Sequence, residues 1–240
     1  LAAGNTIIIK PASTTPLATI KVIELIAQAT YGEGKAQKQL PKGTVNIVTG
    51  PGGSVGEELL RNPRVRRIAF TGSTSVGKEI MRNSADTLKR VTLELGGKSP
   101  NIVFADSVTD TAVKGALNGI FYGKGEVCCA GSRLFVEKRV EDEFITKLVE
   151  ASKKIKLGDP LDPKTRLGAV VSETQMKTVL SYIEGGTKEG AKLLAGGKRA
   201  AINGDNGYFI EPTIFGSVKN DMKIAQEEIF GPVLATLTFD

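Results

Sequence analysis

RRIAFTGSTSVGKEIMRNSADTLKRVTLELGG, residues 66–97, decides the fold. RRIAFTG is a short apolar run closed by a glycine, STSVGKEIMRNSA carries helix-period apolar positions, and RVTLEL reads as a strand again. Strand, helix and strand in succession imply a parallel crossover rather than a hairpin. The rhythm extends backwards. NTIIIK (5–10) and TVNIVTG (44–50) read as strands; PLATIKVIELIAQA (16–29), with Pro16 near its start, and GGSVGEELLRN (52–62) read as helices. It also extends forwards, through NIVFAD (101–106), a helix at 109–121 and the strand RLFVEK (133–138). Residues 140–155 set Val140, Phe144, Ile145, Leu148, Val149 and Ile155 on one helical stripe. The expected fold class is α/β, with doubly wound parallel sheets.

GDPLDPKTRLG (158–168) reads as a loop, and SETQMKTVLSYIEGGTKEG (172–190) opens a helix with Ser172 as N-cap. The end, FIEPTIF (209–215) and EEIFGPVLATLTF (227–239), is extended and turn-rich, and YGEGKAQKQLPKG (31–43) reads as a solvated polar insertion. Paired glycines after a strand permit a sharp change of direction. A boundary is therefore expected at Gly96–Gly97, giving units 1–97 and 98–240.

Composition bounds the function. The chain has 240 residues, of which 40% are hydrophobic and 24% charged, ordinary values for a water-soluble globular protein. No stretch approaches the roughly 20 apolar residues of a membrane span. The start, LAAGNTIIIKPAS, has neither the pattern of a signal peptide nor an initiator Met, and reads as the middle of something longer. The formal charge is +6, but Lys and Arg alternate with Glu and Asp and aromatics make up only 5%, so no nucleic-acid partner is expected. Two adjacent cysteines, Cys128 and Cys129, cannot form a disulfide framework, which points to reduced, cytoplasmic use. With no histidine, Ser-His-Asp and Cys-His catalysis are excluded within the chain, and no metal site is expected.

Two runs carry chemistry. LELGGKSP (93–100) places one carboxylate, Glu94, between apolar neighbours at a strand end, and GKGEVCCAGSR (123–133) sets both thiols among small residues. A thiol that attacks a carbonyl and a carboxylate that activates water are the groups thioester chemistry needs. A third run, FTGSTSVGK (70–78), is a strand, a Gly72–Ser73 turn and a helix start, an arrangement that suits a phosphate. Such turns also open many helices that bind nothing.

Together these runs resemble the active-site motifs of the aldehyde dehydrogenase superfamily, and the interval of 34 positions (128 minus 94) matches the family's spacing. The resemblance spans essentially the whole chain, yet about the middle half of a family subunit. It implies a variant Rossmann nucleotide-binding part followed by a catalytic part. Cys128, the first of the pair, is then the nucleophile, and Cys129 a small buried hydrophobe. Cys128 thiolate forms a thiohemiacetal with an aldehyde or semialdehyde, hydride passes to the nicotinamide, and Glu94-activated water hydrolyses the thioester. A thiol of ordinary acidity is mostly protonated near neutral pH, so local activation is required. The family's second oxyanion donor, an Asn side chain, comes from a segment preceding this chain.

The resemblance further assigns nucleotide contacts to Lys10, Ser13, Gly52, Gly72, Ser73, Leu95, Gln175, Glu228 and Phe230. Lys10 follows an apolar strand, at the usual ligand edge of a parallel sheet, where an ordinary exposed lysine would also sit. Many NAD-using members carry Glu where this chain has Ser13; its carboxylate would repel a 2′-phosphate, so NAD or NADP is expected, with NADP at least tolerated. Gly52 would let an adenine approach, or is a plain turn glycine. Glu228, in EEIFGPV, would hold the nicotinamide ribose, with Phe230 near the ring and Leu95 approaching through its backbone. Gln175 would reach the ribose, or is an ordinary helix-surface glutamine. The chain departs from the family at Gly123 or Lys124 and at Glu126, where Asn and Gln are common; the altered local charge bears on substrate preference.

Three functions are compatible with these residues: a hydrolytic NAD(P)-dependent aldehyde dehydrogenase; a truncated, non-catalytic nucleotide-binding or partner-subunit fragment; and a CoA-acylating relative, which Glu94 disfavours. The first implies a small-molecule aldehyde substrate, no membrane partner, and a homodimer or homotetramer for the full-length protein.

Overall fold

The computed structural model describes residues 1–32, 37–107, 110–202, 204 and 207–240. The chain divides into two compact units, Leu1–Glu94 and Leu95–Asp240. The Gly96–Gly97 pair belongs to the second.

In the first unit, β1 (Ile7–Ile9) pairs in parallel with β4 (Val45–Ile47), and β5 (Arg67–Thr71) in parallel with β6 (Arg90–Glu94). Each pair is joined through helix: α1 (Leu17–Gln28) lies between β1 and β4, and α3 (Thr74–Ser84) between β5 and β6. Pro16 is the N-cap of α1. Ser73 caps α3, its hydroxyl oxygen accepting the Val76 N–H at 3.4 Å. The stretch 52–62 divides into a π-helical turn, Gly52–Gly56, and a short α2, Glu57–Arg61. The polar insertion is not wholly loop: β2 (Thr30–Tyr31) and β3 (Lys38–Gln39) form an antiparallel ribbon on its described flanks, and residues 33–36 lie outside the described residues.

The second unit is a five-stranded sheet in the order β7-β8-β11-β10-β9, formed by Pro100–Val103, Arg133–Glu137, Val233–Phe239, Thr213–Gly216 and Lys192–Ala195. Its pairings are parallel except β9 on β10. The antiparallel edge departs from the all-parallel expectation; KLLA is too short a run to announce itself as a strand, and one antiparallel edge on a parallel sheet is common.

Successive strand residues point to opposite faces, and both faces are covered. Leu134, Val136, Ile214 and Leu234 pack in one cluster with α4 (Asp110–Phe121) and α5 (Glu141–Ser152). Phe215, Val233, Ala235 and Leu237 pack in another with α6 (Glu173–Lys188) and α7 (Lys223–Gln226). The stripe expected on 140–155 lies wholly in the first cluster, with Phe144 and Leu148 fully buried. The expected helix at 109–121 is α4, which starts at Asp110; Thr109 lies outside the described residues. Ser172 caps α6 by accepting the Gln175 N–H at 3.2 Å.

Candidate active site

In the first unit, the assigned residues gather at the carboxyl ends of parallel strands, the edge at which α/β sheets bind ligands. Lys10 leaves β1, and its ammonium donates to the carbonyls of Pro11 (2.7 Å) and Gly50 (3.2 Å). Ser13 Oγ donates to the same Gly50 carbonyl at 3.3 Å. Residues Pro11 to Ser13, Pro16 and Thr49 to Pro51 line a groove of about 150 Å³. Sites that enclose whole ligands measure roughly 300–1,000 Å³, so this groove suits one ring of a larger molecule. None of its lining residues is acidic. Gly52 has open space where a β-carbon would stand.

The Gly72–Ser73 turn and Glu94 share one strand edge. Thr71 and Glu94 are register partners at the ends of β5 and β6, and the Gly72 N–H donates to the Glu94 carbonyl at 3.0 Å. A side chain at Gly72 would overlap the Phe70 ring. Ser73 Oγ lies 3.0 Å from Ser75 Oγ, so two hydroxyls flank the start of α3. Glu94 is exposed. That corrects the apolar setting suggested by its sequence neighbours: alternation along β6 turns Val91 and Leu93 to one side and Glu94 to the other.

The second unit holds the thiols. The Ala130 N–H donates to the Val127 carbonyl at 3.0 Å, closing a β-turn with Cys128 and Cys129 at its two central positions. Both sulfur-bearing residues are free and exposed. Cys129 is therefore not the buried hydrophobe expected of it, because the tip of a turn puts both central residues outside. Among the described residues, the Cys128 N–H donates to no acceptor.

Glycines bring this turn close to its neighbours. A side chain at Gly125 would overlap the Gly231 carbonyl oxygen, and one at Gly97 would meet the Cys128 carbonyl oxygen at 3.1 Å. The Glu228 carboxylate accepts the Gly97 N–H at 3.4 Å and fills the space beside Gly96. Cys128, the Leu95–Gly97 segment and Glu228 thus form one neighbourhood, with Phe230 two residues further on. Phe230 is partly exposed and left-handed, with φ 55°. Gln175 spends its amide nitrogen on the backbone, donating to the carbonyls of Ile229 (3.1 Å) and Phe230 (2.7 Å).

Two residues not singled out as site residues from sequence enter this neighbourhood. Lys98 follows the glycine pair, and its ammonium is buried without a hydrogen-bond partner. Burial, reinforced by the Arg133 guanidinium, lowers its pKa from 10.5 to about 8, against the opposing pull of Glu228 and Glu227. Glu126, noted only as a departure, accepts the Val171 N–H at 2.9 Å and pairs with Lys124 at 3.3 Å. A carboxylate in place of an amide was the available signal; its partner 45 residues away was not legible. Among the described residues no group of side chains could hold a metal ion, and no helix is long and apolar enough to cross a membrane.

The whole chain, residues 1–240, matches the Aldehyde dehydrogenase family. It is 48% identical over 240 residues to betaine aldehyde dehydrogenase of Bacillus subtilis, covering 100% of this chain and 47% of that protein. It is 45% identical to human mitochondrial 10-formyltetrahydrofolate dehydrogenase, covering all of this chain and 25% of that one. Among solved structures, betaine aldehyde dehydrogenase of Staphylococcus aureus in complex with NAD+ superposes with a TM-score of 0.93 at 39% identity, over 100% of this chain and 46% of that one. The aldehyde dehydrogenase KauB of Pseudomonas aeruginosa also gives 0.93, at 47% identity, over 100% and 47%. The chain spans about half the length of the first two bacterial proteins. With its motifs, its fold and its full length all matched, the chain belongs to the aldehyde dehydrogenase family.

Proposed function

We propose that this chain carries the nucleotide-binding and thiol chemistry of an enzyme that oxidises an aldehyde or semialdehyde to the carboxylic acid with NAD(P)+. One observation carries the reading: Glu228, the carboxylate assigned to the nicotinamide ribose, rests on the same glycine pair that abuts the Cys128 carbonyl. A cofactor-holding acid and a nucleophile are thereby neighbours within one compact unit.

The residues fit a dinucleotide. Within the first unit, the groove beside Ser13 has room for one ring, Gly52 leaves open space and the Gly72–Ser73 turn opens a helix; within the second, Glu228 offers a carboxylate suited to sugar hydroxyls. The Staphylococcus aureus relative is in complex with NAD+. Ser13 supports acceptance of NADP as well, since no carboxylate lines the groove to repel a 2′-phosphate. When bound, the nicotinamide supplies the hydride acceptor.

The chain's own groups do the rest. Cys128 thiolate adds to the aldehyde carbon, and the resulting oxyanion is met by the free Cys128 N–H; a donor of this kind contributes roughly 2.7–4 kcal/mol to a transition state. Loss of hydride from the adduct leaves a thioester on Cys128. Glu94, exposed and ionisable, removes a proton from water as that water attacks the thioester, releasing the acid and restoring the thiol.

The experiment is reduction of NAD and NADP by this chain with a panel of aldehydes, beside Cys128→Ser and Cys129→Ser. Turnover by the parent and by Cys129→Ser, with none from Cys128→Ser, supports the reading. Nucleotide binding without turnover in any form would favour a non-catalytic nucleotide-binding fragment.

A further inference from the structure

The turn that presents Cys128 is preceded by three successive left-handed residues, Gly123 (φ 57°), Lys124 (φ 66°) and Gly125 (φ 70°). For the glycines this costs little. At Lys124 a β-carbon in that region costs roughly 1–2 kcal/mol, which a glycine would avoid. A lysine held there argues that its side chain is used.

The use is visible. The Lys124 ammonium lies 3.3 Å from Glu126 Oε2, and the Glu126 side chain is only 8% exposed. Its other oxygen, Oε1, accepts the Val171 N–H at 2.9 Å. A nearly buried carboxylate two residues before Cys128 thus has both oxygens engaged. One partner comes from its own turn and the other from the segment that enters α6. That segment continues through the Ser172 cap to Gln175, whose amide fixes the carbonyls of Ile229 and Phe230 beside Glu228. The lead-in to the turn also abuts Gly231, where even one β-carbon at Gly125 would not fit.

We propose that Lys124 and Glu126 are positioning residues for the Cys128 thiol: their ion pair, anchored on the Val171 N–H, fixes the nucleophile turn to the segment that enters α6. Neither residue touches the reacting atoms. The inference rests on Cys128 being the reactive thiol, but its test needs neither aldehyde nor nucleotide, so it can fail while the dehydrogenase reading stands, and the reverse.

The test is the rate at which iodoacetamide alkylates Cys128 in a Cys129→Ser background, read by mass spectrometry of the 128-containing peptide, with urea unfolding measured on the same samples. Glu126→Ala and Lys124→Gly are each expected to change that rate by about fivefold or more, because the turn loses its anchor. Glu126→Gln, which keeps an acceptor for the Val171 N–H but loses the ion pair with Lys124, should give a rate between those of the parent and Glu126→Ala. Lys124→Gly should also leave the urea midpoint unchanged or raised, since the left-handed strain is relieved. A merely structural pair would lower stability in step with any change in rate. Unchanged alkylation in Glu126→Ala and Lys124→Gly, or changes that only track lost stability, would overturn the proposal.

Discussion

The Glu228 carboxylate occupies the space that a side chain at Gly96 would need, so that an added β-carbon would overlap its Oε2. The obstructing atoms are the end of a flexible side chain rather than backbone, and Gly96 is not left-handed. Gly96→Ala should therefore displace Glu228 without unfolding the chain. The expected result is a nucleotide affinity weakened about tenfold, with stability changed by less than about 1 kcal/mol. Calorimetric titration beside a urea melt separates the two effects, and unaltered affinity would remove Glu228 from the ribose contact.

Lys98 gives a prediction with a definite sign. Its pKa is about 8 in the fold against 10.5 in an unfolded chain. Between those values the native state has released a proton that the unfolded state keeps, so unfolding takes up a proton and raising the pH stabilises the fold. Below about 8 the charge is held in a buried place without a hydrogen-bond partner. Lys98→Met should therefore be more stable than the parent near neutral pH and lose the rise in stability across this window. Urea midpoints on either side of the window check both parts.

Lys89 contrasts with Lys98, for it is buried but satisfied. Its ammonium donates to the carbonyls of Asn62 (2.5 Å) and Val65, tying the entry of β6 to the turn before β5. Lys89→Met leaves two carbonyls without their charged donor. Hydrogen bonds of this type contribute about 1.5–3 kcal/mol, and a loss of that size in denaturant unfolding is expected.

Ser13 tests cofactor choice. Ser13→Glu would set a carboxylate in the groove beside Gly50, where a 2′-phosphate would meet like charge. A penalty of about 1.4 kcal/mol corresponds to tenfold in affinity, so the ratio of NADP to NAD affinity should fall by about that factor. Equal affinities before and after the change would place the phosphate elsewhere.

The sequence made some of this architecture readable and concealed the rest for physical reasons. Local signals came through: the Ser172 cap lies three residues from the amide it accepts, and the 140–155 stripe has a helical period that burial follows. Strand β9 is not legible, because the four residues of KLLA carry no period of their own. The exposure of Cys129 is not legible from residue type, which says nothing about a turn tip; the Val127–Ala130 hydrogen bond decides it. The sequence neighbours of Glu94 suggest an apolar setting, whereas alternation along β6 turns it outward. The Glu126–Val171 and Gln175–Phe230 bonds join residues 45 and 55 positions apart, and no local pattern marks either.

The most direct measurement is intact-peptide mass spectrometry of the Glu94→Gln variant after incubation with NAD+ and an aldehyde substrate. With the carboxylate proposed to activate water removed, the acyl group should remain as a thioester on Cys128, and Cys129 should be unmodified. Acyl mass on Cys129, or turnover that continues in Glu94→Gln with no adduct on either thiol, would contradict the assignment of nucleophile and base.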